Sequence, residues 1–115
     1  MECSHDQVND TLIFRVEEKK LDTALSVEVK EKLLELLQNK KVKNLLFNLA
    51  MVKSIDSSGL SSLLFGRRII ASRQGKCLII NPQPKVTTLM KIARLDKVFN
   101  IYDDEGIALK SLQGE

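Results

Sequence analysis

Residues 44–60 decide the fold of this 115-residue chain, and they read Asn44-Leu-Leu-Phe-Asn-Leu-Ala-Met-Val-Lys-Ser-Ile-Asp-Ser-Ser-Gly-Leu60. The mainly apolar run over residues 45–49 does not alternate, which predicts a central β-strand covered on both faces. A loop over residues 50–55 follows it. Polar residues 56–58 then precede apolar residues at helical spacing, which predicts a helix from Ser58 to Gln74. A buried strand that leads through a loop into a capped helix is typical of an α/β sheet.

Upstream of this stretch, the sequence predicts two strands and an amphipathic helix. Residues 11–17 place apolar side chains on one side of an alternating pattern, and residues 18–21 predict a short second strand. Asp22 or Thr23 offers a side-chain oxygen that could cap the next helix. This helix is expected to end near Asn39, because apolar residues recur at helical spacing as Leu25, Val29, Leu33, Leu36 and Leu37.

Downstream, three more breaks divide the chain. Gly75 is placed to stop the central helix, and residues 77–80 predict another buried strand. Asn-Pro-Gln-Pro at residues 81–84 precedes a short helix that reaches about Arg94. The remaining predictions are a strand over residues 98–102, a helix from Asp103 or Asp104 to about Leu112, and a frayed tail over residues 113–115. The element order predicts an α/β fold with a mostly parallel sheet of four to five strands and about four helices.

Composition limits the function classes. A chain with 43% hydrophobic and 29% charged residues is expected to form a single domain over residues 1–115, with residues 1–9 as a flexible N-terminal tail. No apolar stretch approaches the ~20 residues of a membrane span, and two isolated cysteines suit a reduced, cytoplasmic protein. The net charge of +3 is spread along the chain and the five aromatic residues are scattered. We therefore expect neither a membrane nor a nucleic acid as a direct partner.

Most of the available chemistry lies at the predicted start of the central helix. The free N–H groups and the macrodipole of a helix N-terminus favour an anion, so a phosphate added there could be accepted locally. Asp56, Ser57 and Ser58 are also ordinary capping residues, which stabilise a helix by about 1 kcal/mol without any function. The spacing alone leaves both interpretations open. The sole histidine, His5, lies in the predicted tail and is a poor anchor for a catalytic triad or a metal site.

The stretch from Asn44 to Leu60, followed by Gly66-Arg67 and Gly75-Lys76, resembles the signature region of bacterial anti-sigma factor antagonists. These anti-anti-sigma factors are single-domain members of the STAS superfamily. The likeness covers nearly the full chain. Leu21-Asp22 followed by Ala24 is similar to the family's segment between the second strand and the first helix, and residues 81–95 are similar to its third-helix region.

This resemblance implies a function as a binding protein rather than an enzyme, with no cofactor. In the family, the serine directly after the motif aspartate is phosphorylated by a partner that is both anti-sigma factor and serine kinase, with a histidine-kinase-like ATPase fold. Here that serine is Ser57. The unphosphorylated antagonist binds this partner and frees a sigma factor, the phosphorylated form releases the partner, and a serine phosphatase resets the switch. The implied partner-binding and switch residues are Asp22, Asp56, Ser57, Ser58, Gly59, Leu60 and Ser61.

The sequence departs from the family pattern at two places. Lys19-Lys20-Leu21-Asp22 replaces the usual Gly-Glu-Leu-Asp, and Ser61 stands where a glycine is frequent. These differences leave the predicted fold intact and alter the charge at a surface that the family often uses for partner contact. Ser58, Leu60 and Ser61 are expected to be exposed beside Ser57. Three arginines of the central helix are expected to form a solvent-exposed face, namely Arg67, Arg68 and Arg73. Cys77 is expected to be a small core residue.

Two other functions compete with the switch. A receiver-like phosphoaspartate domain would need a carboxylate at the end of the central strand, where this chain has Asn48, and an acidic pair after the first strand, for which Glu17-Glu18 is a poor substitute. A constitutive STAS scaffold, or a subunit of a larger assembly without a phospho-switch, remains open. In that case Ser57 would be only a capping residue. The chain contains no Gly-rich phosphate-binding motif that would support nucleotide binding.

Overall fold

The computed structural model describes residues 1–113, which form seven strands and four helices. In chain order these are β1 (Cys3–Val8), β2 (Thr11–Val16), β3 (Lys20–Leu21), α1 (Thr23–Leu36), β4 (Asn44–Asn48), β5 (Ser54–Ile55), α2 (Ser57–Ser72), β6 (Cys77–Ile80), α3 (Pro84–Ile92), β7 (Asn100–Tyr102) and α4 (Glu105–Gln113). The main sheet has the order β1-β2-β4-β6-β7, and only its β1–β2 pair is antiparallel. The predicted α/β class, with a mostly parallel sheet and four helices, is confirmed.

The absence of alternation in the central strand follows from helices on both sides of the sheet. Leu45 and Phe47 of β4 belong to the larger core cluster, which includes residues of α1, α2 and α3. Leu46, between them, belongs to a smaller cluster that includes Ala108 of α4. The Phe14 ring of β2 meets the Phe47 ring edge to face, with 6.2 Å between ring centres. Each position of β4 from 45 to 47 is therefore buried whichever way it points.

The prediction of a flexible tail over residues 1–9 is wrong for most of that segment. Cys3–Val8 forms β1, which pairs with β2 continuously from Cys3↔Val16 to Val8↔Thr11. A two-residue turn joins the strands, and Asn9 in this turn adopts a φ of 55°. The sequence did not predict β1, because an edge strand with little burial does not need the apolar alternation by which strands are recognised.

A second, two-stranded sheet forms within the segment predicted as a loop. Ser54–Ile55 of this loop is β5, and it pairs in parallel with β3, so that Lys20 lies opposite Ser54 and Leu21 opposite Ile55. The short strand predicted over residues 18–21 is thus present as β3. Because each of these strands leads directly into a helix, the β3–β5 pair places the N-termini of α1 and α2 next to each other.

The end of α2 differs from the prediction in its details. The helix ends at Ser72, and Gln74 rather than Gly75 adopts the left-handed conformation, with a φ of 61°. A Cβ atom at Gly75 would lie 1.5 Å from the carbonyl oxygen of Lys43, so this glycine serves a close backbone approach. Arg73 is not part of a solvated face, because its guanidinium donates hydrogen bonds to carbonyl oxygens after α1, including that of Val42 at 2.8 Å.

Helix α4 covers the second face of the sheet, and its first turn is held by a capping aspartate and an ion pair. Asp104 caps it by accepting a hydrogen bond from the N–H of Ile107 at 2.9 Å. Glu105 accepts two hydrogen bonds from the guanidinium of Arg15, at 2.9 and 3.0 Å, and one from the Asn48 amide. The hydrogen bonds from Arg15 lower the pKa of Glu105.

Two further sequence predictions concern a frayed C-terminal tail and the lack of a membrane-spanning segment. The predicted frayed tail over residues 113–115 lies mostly outside the described residues, and Gln113 is the last residue of α4. None of the helices within residues 1–113 has the length and apolar character needed to cross a membrane.

Candidate functional site

The start of α2 is built around Asp56, which is the N-cap residue. Its backbone is extended, and its Oδ1 atom accepts a hydrogen bond from the N–H of Gly59 at 2.9 Å. Its carbonyl oxygen accepts the first helical hydrogen bond, from Leu60, at 3.0 Å. Ser57 is therefore the first residue of the helix, one position earlier than predicted, and its side chain is exposed. The carboxylate that precedes Ser57 is held in place by a helix backbone.

A second capped N-terminus lies beside the first. Asp22 caps α1 by accepting a hydrogen bond from the N–H of Leu25 at 3.1 Å, which settles the choice between Asp22 and Thr23. The two helix starts are tied together through β3 and β5, and the N–H of Asp56 donates to the carbonyl oxygen of Leu21 at 3.3 Å. Asp22 and Asp56 are both exposed. The structure thus brings together the two aspartates that the resemblance implied as site residues.

Two side-chain contacts bridge α1 and α2 next to Ser57. The hydroxyl groups of Thr23 and Ser58 are 3.2 Å apart, and the Lys30 ammonium donates a hydrogen bond to the Ser61 hydroxyl at 3.2 Å. Ser61 is exposed, as predicted, whereas Ser58 is only half-buried. The serine that replaces a frequent family glycine at position 61 therefore connects the two helices at the surface.

Gly59 and Leu60 lie under this surface rather than on it. Leu60 is only 5% exposed and belongs to the larger core, so the prediction that it is exposed is wrong. A Cβ atom at Gly59 would lie 2.4 Å from the carbonyl oxygen of Leu21 and 2.5 Å from Cγ1 of Ile55. The glycine is thus needed for close contact with β3 and β5. Helical spacing could not show this, because β3 and β5 pair through residues distant in the sequence.

Lysines surround the β3–β5 pair. Lys19 and Lys53 are joined by a backbone hydrogen bond of 2.8 Å, from the N–H of Lys53 to the carbonyl oxygen of Lys19, and Lys20 lies opposite Ser54. All three lysines are exposed. The two lysines that replace the family's Gly-Glu at positions 19 and 20 therefore lie where β3 begins, next to the start of β5.

The structure adds an apolar groove that the sequence analysis missed. A hollow of about 400 Å³ lies between β5 and α3 and is lined by Ser54, Ile55, Pro84, Lys85, Thr88, Leu89 and Ile92. Ile92 is 73% exposed, more than any other large hydrophobic side chain among residues 1–113. The sequence carried one sign of this groove. Ile92 falls outside the apolar stripe of α3, in which Val86 and Met90 are buried.

Cys77 is away from these features. It is buried in β6 within the larger core, in agreement with its predicted position, and burial raises the pKa of its thiol. A protonated, buried thiol has little reactivity.

The family follows from comparison with known proteins. Residues 4–108 match the STAS domain, so the chain belongs to the STAS domain family. A Thermotoga neapolitana protein named as a homologue of the anti-sigma factor antagonist TM1081 is 31% identical over 70 residues, which are 61% of this chain and 62% of that protein. The chain therefore matches less than two thirds of this relative.

Solved structures of anti-sigma factor antagonists share the fold. The Thermotoga maritima protein TM1081 has a TM-score of 0.86 at 24% identity, covering 96% of this chain and 94% of that chain. SpoIIAA in its unphosphorylated form has a TM-score of 0.79 at 21% identity, covering 99% of this chain and all of that chain. The phosphorylated form of SpoIIAA from Bacillus has a TM-score of 0.76 at 18% identity, covering 96% and 99%.

Proposed function

We propose that this protein is an anti-sigma factor antagonist that is switched by phosphorylation of Ser57. The unphosphorylated protein binds, in the cytoplasm, an anti-sigma factor that is also a serine kinase of histidine-kinase-like ATPase fold, and a sigma factor is released. Phosphorylation of Ser57 by this partner weakens the complex, and a serine phosphatase restores binding. The protein itself is a binding module and a kinase substrate, not an enzyme.

The observation that carries this proposal is the position of Ser57. Its hydroxyl is exposed at the first residue of α2, while Asp56 is held beside it by a hydrogen bond to Gly59. A kinase can therefore reach the hydroxyl without unfolding the helix. The first-turn N–H groups and the helix dipole favour an added anion at this place, so the folded protein tolerates the phosphate.

The switch follows from charge at the docking surface. A phosphate on Ser57 adds about −1.5 to −2 charges next to Asp56 and introduces three strong hydrogen-bond acceptors. A partner surface that fits a neutral hydroxyl beside one carboxylate would then meet a compact dianion. A loss of about 3 kcal/mol weakens binding more than a hundredfold, since each 1.4 kcal/mol corresponds to a factor of ten.

The docking surface that we propose surrounds Ser57 on the exposed ends of α1 and α2. Asp22, Asp56, Ser58 and Ser61 supply polar groups there, and the last two also contact α1. Gly59 and Leu60 support this surface from below through their contacts with β3, β5 and the core. The groove with Ile92 lies on the other side of β5 and offers apolar area to the same partner.

A constitutive STAS scaffold is the second candidate. It is favoured by the similarity of the caps of α1 and α2, since Asp56 makes the same hydrogen bond as Asp22. In a scaffold, Ser57 would serve only the helix start, and its replacement by aspartate would leave the affinity for partners unchanged.

The test uses four variants as baits in lysate of the source cell: Ser57→Ala, Ser57→Asp, Thr23→Ala and Thr23→Asp. Thr23 is the matched control, because it is the exposed first residue of α1 and follows a capping aspartate. We expect a kinase-like protein to be retained by both alanine baits and lost from Ser57→Asp, with a smaller loss from Thr23→Asp, because Thr23 borders the proposed docking surface through its contact with Ser58. The purified partner should then phosphorylate the wild-type protein at Ser57 with ATP, as read by mass spectrometry. Equal retention by both Ser57 variants would contradict the switch and support the scaffold.

A further inference from the structure

The two edges of the main sheet differ in length and protection. The β7 edge comprises three residues, whereas the β1 edge comprises six. Unprotected edges invite pairing, and proteins commonly guard them with lysine, proline or a β-bulge. The β1 sequence, Cys-Ser-His-Asp-Gln-Val, has neither lysine nor proline, and its pairing with β2 has no bulge. Its one carboxylate, Asp6, forms an ion pair with Arg15 of the neighbouring strand at 2.8 Å.

The hydrogen-bonding pattern of β1 identifies the backbone groups that face outward. In a hairpin with a two-residue turn, the pair that closes the turn is hydrogen-bonded, and here this pair is Val8 with Thr11. Hydrogen-bonded pairs alternate along an antiparallel ladder. The bond from the N–H of Glu17 to the carbonyl oxygen of Glu2 fits this alternation. The even-numbered residues of β1 therefore face β2, and the N–H and C=O groups of Cys3, His5 and Gln7 face away from the sheet.

There is open space next to this edge. A hollow of about 460 Å³ is lined by His5, Asp6, Gln7, Leu12, Glu35, Leu36 and Asn39. The side chains of His5 and Gln7 are exposed there. Side chains of another strand could enter the hollow when that strand pairs with β1.

We propose that β1 pairs antiparallel with β1 of a second copy of this chain, across a two-fold axis that passes through His5. In this register His5 lies opposite the partner's His5, and Cys3 lies opposite the partner's Gln7. All three outward-facing residues then form ladder hydrogen bonds, and the two five-stranded sheets become one sheet of ten strands. A two-fold axis fits because the same strand serves both subunits.

The neighbouring registers are less favourable. A shift toward the turn would place Asp6 opposite the partner's Asp6 in a close, non-hydrogen-bonded pair, where like charges repel. A shift the other way would centre the axis on Ser4 and leave only Cys3 and His5 paired within the strand. In the proposed register Ser4 lies opposite the partner's Asp6, so a hydroxyl can donate to a carboxylate.

This dimer is independent of the switch. None of the residues around Ser57 belongs to β1. In the chain, α2 lies between β5 and β6 and is not connected directly to β1 or to its neighbour β2. Both copies would keep their α2 N-termini accessible to a partner.

The first experiment is sedimentation equilibrium of the wild-type protein over micromolar to millimolar concentration, together with amide hydrogen exchange by NMR. The mass should rise from 13.0 kDa to about twice that value with concentration. Exchange at Cys3, His5 and Gln7 should slow in proportion to the dimer fraction. A monomer throughout the range, or a dimer in which these three amides exchange freely, overturns the proposal.

The second experiment traps the register with disulfides. In Gln7→Cys, the native Cys3 lies opposite the introduced thiol of the other copy, at a spacing that suits a disulfide. In the control Ser4→Cys, the introduced thiol faces the other copy's Asp6. Mild oxidation should therefore give a covalent dimer of Gln7→Cys on non-reducing gels, with Ser4→Cys remaining monomeric. Any other pattern overturns the register.

Discussion

The N-termini of α1 and α2 share their chemistry but differ in how closely they are packed. Each begins with an extended, exposed aspartate that caps the N–H three residues later, and each continues with an exposed hydroxyl residue, Thr23 or Ser57. The capped residue is a half-buried Leu25 in α1 and a buried Gly59 in α2. A cap alone therefore does not set the proposed phosphorylation site at the start of α2 apart from the start of α1. The close packing under α2 is the difference, because it fixes the backbone that carries Ser57.

The largest expected effect is that of Gly59→Ala. The added methyl group would meet the backbone oxygen of Leu21 at 2.4 Å, and backbone held in a strand pair cannot move away easily. We expect a loss of about 3 kcal/mol in the free energy of unfolding, at the upper end for overpacking. Urea denaturation followed by circular dichroism measures it.

The control for this variant is Leu25→Ala at the equivalent position of α1, where the change removes atoms instead of adding them. Leu25 is only half-buried, so a smaller loss is expected there. If Gly59→Ala lost less than Leu25→Ala, close packing would not be what sets α2 apart.

The second effect concerns the caps themselves. Asp22→Ala and Asp56→Ala should each lose about 1 kcal/mol of stability, because each leaves one first-turn N–H without its side-chain acceptor. Asp22→Asn and Asp56→Asn should keep most of the stability, since asparagine is an equally good cap. Thermal and urea unfolding of the four variants measure these losses. Markedly unequal losses from the two alanine variants would mean that one aspartate does more for the fold than cap its helix.

The sequence predicted the elements whose signals are local. The apolar run of β4, the stripe of α1 and the polar capping segment before α2 were recognised because each acts within one strand or one turn. The β3–β5 pair joins segments more than thirty residues apart, so its consequences for Gly59 and Leu60 could not be seen. The polar strand β1 was missed because its stability comes from backbone pairing with β2 and not from burial of its side chains.

The smallest expected effect is on the stability of the aspartate variants. Ser57→Asp and Thr23→Asp each place a carboxylate in the first turn of a helix, where the macrodipole contributes about 0.3 to 1 kcal/mol at low salt. The adjacent Asp56 or Asp22 opposes this gain by like-charge repulsion, and Thr23→Asp also loses the contact with Ser58. We therefore expect changes within about 1 kcal/mol for both, and smaller ones at high salt, where charges are screened.

Urea denaturation at low and high salt measures these stability changes. Comparing them with the partner affinity of the same proteins shows whether the negative charge acts on binding or on the fold. If Ser57→Asp loses affinity for the partner while its stability stays close to that of wild type, the negative charge acts at the docking surface. If the same variant loses several kcal/mol of stability and Thr23→Asp does not, a charge at Ser57 instead disturbs the packed start of α2. Gly59 would then transmit the disturbance to β3 and β5, because its backbone is in contact with Leu21 and Ile55.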